Sequence, residues 1–211
     1  MRDSIMGFYD RHILPRFINC ACAAKPIMKQ RAKVVPLATG TVLEIGIGTG
    51  LNLSYYDAGK VQRVIGLDPS EASWKLAAKR AAHLDFAVDF IGLPGEEIPL
   101  DDNSVDTVVV TFALCTIPDP VAALRGMARV LRPAGSLLFC EHGKAPDASV
   151  GRWQDRLNPL WRHMAGGCNL NRDIPQLLEA GGFTVPDLKT GYLPGTPRFA
   201  GYNYWGRACT A

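Results

Sequence analysis

The chain has 211 residues, 47% hydrophobic and 20% charged, enough to bury one full core and within the range of a single α/β unit. That composition excludes a disordered or fibrous chain, and a formal net charge of +3 is too small to argue for nucleic acid. Six cysteines, Cys20, Cys22, Cys115, Cys140, Cys168 and Cys209, stand without a paired framework or a zinc-type C-x-x-C, so free thiols in a reducing cytoplasm are expected.

Residues 1–40 predict a helical region. Ile5, Phe8, Tyr9, His12 and Ile13 follow helical spacing, which suits a cap closing over a ligand mouth. The first 33 residues also hold seven Lys or Arg against two Asp. A basic, apolar segment of that kind can alternatively rest on an anionic membrane surface and collect lipophilic substrates. The apolar stretch at 13–24 is broken by Pro15, Arg16 and Asn19 and falls short of the ~20 residues that a span needs. No signal-peptide pattern follows the first charges.

A strand near 42–46 runs into three alternate glycines, Gly46, Gly48 and Gly50, with Glu44 two residues before the first. Such a loop turns sharply and lets a ligand lie against bare main chain. Its spacing is tighter than the G-x-G-x-x-G of dinucleotide enzymes, which argues against a nicotinamide oxidoreductase. The strand at 61–67 ends in Asp68-Pro69, an acid placed to accept hydrogen bonds from ribose hydroxyls. Ser70 is the expected N-cap of a helix over 70–83, with Trp74, Ala77, Ala78 and Ala81 on one face. Strands near 86–91, 107–112 and 136–142 follow. Before the last of them, Val121, Leu124, Met127, Ala128 and Leu131 form the apolar face of a helix whose Arg125, Arg129 and Arg132 turn to solvent. Asp173 opens a short helix as a capping box that Gly181-Gly182 ends. Strands near 183–192 and 199–208, with turn chemistry at Pro194-Gly195, complete the pattern. The alternation predicts an α/β, Rossmann-like, seven-stranded and mainly parallel sheet with helices on both faces and an antiparallel terminal hairpin. Residues 1–211 then form one domain: a cap at 1–40, a ligand-binding core at 41–145, and substrate-side helices and terminal strands at 146–211.

The order of glycine loop, strand-end acid, Gly95-Glu96-Glu97-Ile98-Pro99 and Asp106 leading into a strand closely resembles the class I S-adenosylmethionine (SAM) dependent methyltransferases over residues 41–142. The resemblance implies that Glu44, Gly46, Gly48 and Gly50 hold the methionine and ribose part, Asp68 and Pro69 the ribose, Gly95 and Glu96 the adenine, with Thr111 and Leu114 beside them. Pro94 stands where many relatives carry an acid, which shifts the adenine contact to main chain and Glu96. Leu114-Cys115-Thr116, the run at 130–135, Glu141-His142, Pro159-x-Trp161 and the run at 167–172 resemble the thiol-methylating group called methyltransferase-like seven. The same motifs are similar, less closely, to quinone C-methyltransferases and phospholipid N-methyltransferases. The resemblance therefore implies a small-molecule acceptor, a thiol first and a lipid, quinone or phenol as the alternative.

Methyl transfer needs nucleophile, methyl and leaving sulfur in line, so placing the acceptor carries most of the catalysis. His142, at the end of the fifth strand, is the first candidate for a base, or else a structural or positioning group. Arg172 stabilises a thiolate or pairs with Asp173. Tyr9, Trp153 and Trp161 are candidates to line an apolar acceptor pocket, although aromatics after a fifth strand are as often core, with Cys115 and Cys168 shaping the pocket. Cys140-x-His142 with distant Cys168 has metal-donor types, but strand alternation puts 140 and 142 on one face without any ligand role, and no metal is expected.

Overall fold

The computed structural model describes residues 22–211. Five parallel strands, β1 (Gly40–Ile45), β2 (Val61–Leu67), β3 (Ala87–Ile91), β4 (Val105–Thr111) and β5 (Leu131–His142), are joined by β6 (Phe183–Tyr192) and β7 (Tyr202–Thr210) in one sheet of order β3-β2-β1-β4-β5-β7-β6. β7 pairs antiparallel with both β5 and β6, which gives the expected terminal hairpin. The central strands are apolar in nearly every position because helices cover both faces. In β4, Val108, Val109 and Val110 are all fully buried.

Strand periodicity divides the core in two. Leu43, Ile45, Val110, Leu137 and Phe139 face α3 (Pro120–Val130) and α5 (Ile174–Ala180). Val42, Val64, Val109, Leu138 and Cys140 face α1 (Lys25–Val34), its following turn Val35–Leu37, and α2 (Glu71–Ala81). α4 (Ala148–Met164) and the short α6 (Arg198–Gly201) lie after β5 and before β7. No described helix is long and apolar enough to cross a membrane.

Local chemistry sets the helix ends. Ser70 Oγ accepts from Ser73 N–H at 3.2 Å at the start of α2, and Asp173 Oδ1 accepts from Gln176 N–H at 3.2 Å at the start of α5, as expected. Leu131 departs from expectation: it is the first residue of β5, extended at φ −68, ψ 135. Pro133 disfavours a helical Arg132, so α3 stops at Val130. The basic stripe is also more than a solvated face. Arg129 donates to the carbonyls of Ile98 and Leu100 and to Asp102, and Arg132 pairs with Asp106. β7 begins at Tyr202 instead of 199, because 198–201 closes a helical turn. The predicted cap residues Ile5, Phe8, Tyr9, His12 and Ile13 lie outside the described residues.

Candidate functional site

Strand order reverses between β1 and β4, so the loops leaving those two strands diverge to opposite faces and leave a crevice at their C-terminal ends. The crevice is a cavity of about 400 Å³, within the range of small-molecule and cofactor sites. Gly46, Gly48, Asp68, Pro69, Gly95, Glu96 and Thr111 all line it, which unites most of the cofactor residues expected from sequence. Gly46 has φ 71, and a Cβ there would stand 2.7 Å from Ala113 Cβ, so the turn requires glycine twice over. Gly48, at φ 52, would bring a Cβ only into ordinary contact with Gly46 O at 3.8 Å and Asp68 Oδ2 at 4.0 Å, and its N–H donates to Asp68 Oδ2 at 3.0 Å. Asp68 Oδ1 accepts from Ser70 N–H at 2.8 Å. Burial raises the Asp68 pKa above the ordinary carboxylate value. Gly50, Glu44 and Leu114 do not line the cavity. Gly50 packs against Leu53 and Ala77, and Leu114 is fully buried in the core.

Glu44 supports the loop from beneath. Its carboxylate accepts from Asn52 Nδ2 at 3.0 Å and Tyr56 OH at 2.7 Å, and burial pushes its pKa up to about 7. Arg31, buried on α1, donates to Asn52 Oδ1 at 2.8 Å and Thr111 Oγ1 at 2.5 Å and stands 5.1 Å over the Phe112 ring. Arg31, Asn52 and Tyr56 were missed in the sequence, because a lone Arg in a basic helix and two polar residues past a glycine loop give no periodic signal. Arg31 and Glu96 line the cavity, and among the described residues Arg31 Nε is a buried donor with no partner and Glu96 Oε2 a buried acceptor with none. That pair, with the bare glycine loop and Asp68, fits SAM: a carboxylate for Arg31, ribose hydroxyls for Asp68, and an amino group for Glu96.

Beyond the glycine loop, Phe112, Ala113, Thr116, Ile117, Cys22 and Gly166 close the cavity. Phe112 takes φ 53, outside β4, and turns the chain into this wall. Glu141, wholly buried, fixes the turn by accepting from Ala113 N–H at 2.8 Å and Leu114 N–H at 3.1 Å. Burial pushes its pKa up to about 7. Arg172 donates to the carbonyls of Leu114 and Ile117, the second at 2.8 Å, so it holds this loop and does not pair with Asp173. Asn169 N–H and Nδ2 both donate to Cys115 O, at 2.9 and 2.8 Å, tying the loop after α4 to the loop after β4. Gln154, fully buried on α4, accepts from Ala145 N–H and donates to the carbonyls of Gly143, Leu170 and Phe199, all within 3.0 Å.

These fastenings bring Cys115, His142 and Cys168 together, with their donor atoms within 4.8 Å of one another. His142 Nε2 lies 3.2 Å from Cys168 Sγ. None of the three lines the cavity, although their near neighbours in the chain, Thr116 and Gly166, do. The hydrogen bond with Cys115, then burial, pushes the Cys168 thiol well up, so it is protonated at neutral pH. Trp161 and Trp153 do not line the cavity either. Trp161 meets Phe199 edge-on, and Trp153 is 57% exposed beneath Arg156. Tyr9 lies outside the described residues.

Comparison with known proteins agrees with this geometry. Residues 43–139 match the family described as Methyltransferase domain. The chain is 38% identical over 178 residues to Homo sapiens Thiol S-methyltransferase TMT1B, covering 78% of this chain and 71% of that protein. It is 38% identical over 154 residues to Homo sapiens Thiol S-methyltransferase TMT1A, covering 71% of this chain and 62% of that one. A solved SAM-dependent methyltransferase from Thermotoga maritima superposes with a TM-score of 0.63 at 22% identity, covering 95% of this chain and 99% of that one, which is a likeness of fold. The chain belongs to the class I SAM-dependent methyltransferases, in the group of the thiol S-methyltransferases.

Proposed function

We propose that the protein methylates the sulfur of a small-molecule thiol with SAM as donor. The observation that carries this reading is the 38% identity to human TMT1B across 78% of the chain, which spans both the cofactor crevice and the wall beyond it. Bound SAM supplies a methyl group activated by a sulfonium. Gly46 and Gly48 let it lie on main chain, Asp68 holds its ribose, and Arg31 offers its free Nε–H to the carboxylate.

The acceptor enters against Phe112, Ile117 and Gly166. A free thiol has a pKa near ~8.5, so only a minority is thiolate at neutral pH. Attack of a thiolate on a sulfonium cancels charge, and an apolar wall that excludes water favours that step over a hydrated ground state. Arg172, Glu141 and Asn169 act through the loops they fasten and set the distance across the cavity.

The test is mass spectrometry after incubating the protein and SAM with pooled thiols, phenols, amines, quinols and phospholipids. Products one methylene heavier among the thiols alone support S-methylation. Gain by lipids, quinols or phenols while thiols stay unchanged overturns it and leaves the SAM-methyltransferase family in place.

A further inference from the structure

We propose that Cys115, Cys168 and His142 form a three-ligand site for a zinc ion whose fourth position takes the sulfur of the methyl acceptor; the second half rests on the thiol reading above. The three side chains come from three separate elements: the loop after β4, the loop after α4, and the last residue of β5. Their donor atoms all lie within 4.8 Å of one another, and His142 Nε2 is 3.2 Å from Cys168 Sγ. Zinc bonds of about 2.3 Å to sulfur and about 2.0 Å to nitrogen set tetrahedral donors roughly 3.5–3.8 Å apart. Shifts of about 1 Å or less therefore close the three around an ion.

The backbone is already pinned at both cysteines. Asn169 donates twice to Cys115 O, and Arg172 holds the carbonyls of Leu114 and Ile117 on either side. Two soft thiolates and an imidazole select zinc over magnesium or calcium. With two thiolates the ion is neutral overall, which suits a mostly buried place. Two thiolates and one imidazole with a free position is also a donor set of catalytic zinc, not of closed structural sites. The free position has a neighbour to serve, because Cys115 Sγ lies 3.5 Å from Thr116 Oγ1 and Thr116 lines the cavity. Cys140, which the sequence pairs with His142, lies deeper in the core against α1 and is not among the three.

The reaction balances. The acceptor thiol binds the ion as thiolate and its proton leaves to solvent. The sulfur lone pair forms the new S–CH3 bond while the methyl–sulfonium bond of SAM breaks, its electrons staying on the departing sulfur. The neutral thioether then leaves the ion.

The test uses the full chain, stripped with a chelator under a non-thiol reductant and titrated with Co2+ as the probe. One equivalent is expected to give a thiolate-to-cobalt band in the near ultraviolet, displaced by Zn2+. Cys115→Ser, Cys168→Ser and His142→Gln lose it, with circular dichroism checking the fold, while Cys209→Ser and Cys22→Ser keep it. A small thiol added to the cobalt protein shifts the visible bands. No band, a band the three substitutions leave intact, or a band that no thiol shifts overturns the proposal. Thiol methylation by protein that binds no cobalt overturns the ion site alone. A cobalt band shifted by thiol, with no thiol methylated, overturns the functional reading alone.

Discussion

Replacing Asp68 with Ala separates the two tasks of its carboxylate. It anchors the glycine loop through Gly48 N–H at 3.0 Å and Ser70 N–H at 2.8 Å, and, as Asp68 lines the cavity, its remaining lone pairs are the ones proposed to accept from the ribose. A hydrogen bond to a charged acceptor contributes about 1.5–3 kcal/mol. Two ribose hydroxyls therefore stand to lose at least ~3 kcal/mol, roughly 150-fold in Kd, with the low end appropriate because the cavity opens to solvent. Calorimetric titration with SAM and with S-adenosylhomocysteine measures this directly, and both ligands should weaken by the same factor because they share the ribose. Asp68→Asn keeps one acceptor and should fall between. A Kd for Asp68→Ala within threefold of the parent, in protein whose melting temperature shows it folded, would refute the assignment of Asp68 to the ribose.

Arg31→Met leaves Asn52 Oδ1 without its donor, while Thr111 Oγ1 keeps the Asn52 Nδ2 donor at 2.9 Å; at about 1–3 kcal/mol for one stranded buried group, stability should fall by about 2 kcal/mol. That is roughly 4–8 °C in melting temperature, read by calorimetry, and an unchanged transition contradicts the network. Glu44 and Glu141 carry pKa values pushed from 4.5 to about 7 by burial. The folded state thus binds more of these two protons than the unfolded one between those values, so their contribution to stability is full below about pH 4.5 and declines as pH rises to about 7. Urea denaturation across that range should show the decline, shallower in Glu141→Gln; a profile that rises contradicts it. Gln154→Met strands three carbonyls and one N–H, and should cost about 4 kcal/mol or more and loosen the loop carrying Cys168. Urea midpoints test this, and a loss under 1 kcal/mol would show that water replaces the amide.

The sheet and the cofactor loop were legible because their signals are local. Alternate glycines, a strand-end acid and N-caps at Ser70 and Asp173 each depend on a few neighbouring residues, and each stands where expected. The wall beyond the cofactor was legible only as a set of names. Cys115, His142 and Cys168 are separated by 27 and 26 residues, and only the crossing of three loops decides that Cys115, and not Cys140, joins His142. Arg172 reads in the sequence as a partner for a thiolate or for Asp173, yet its side chain reaches back to the loop after β4, where two carbonyls compete better than an exposed carboxylate. Trp153 is the opposite case, an aromatic expected in the pocket or else in the core that the helix turns to solvent.

In the proposed reaction the methyl group goes to sulfur. Its most direct test supplies SAM labelled as CD3 and compares kcat/KM for one small aliphatic thiol with that for the alcohol of the same shape, identifying the product by mass and by the S-methyl resonance. Labelled thioether from the thiol and no labelled ether from the alcohol are expected; equal transfer to both, or transfer to neither while SAM binds, would contradict methylation at sulfur.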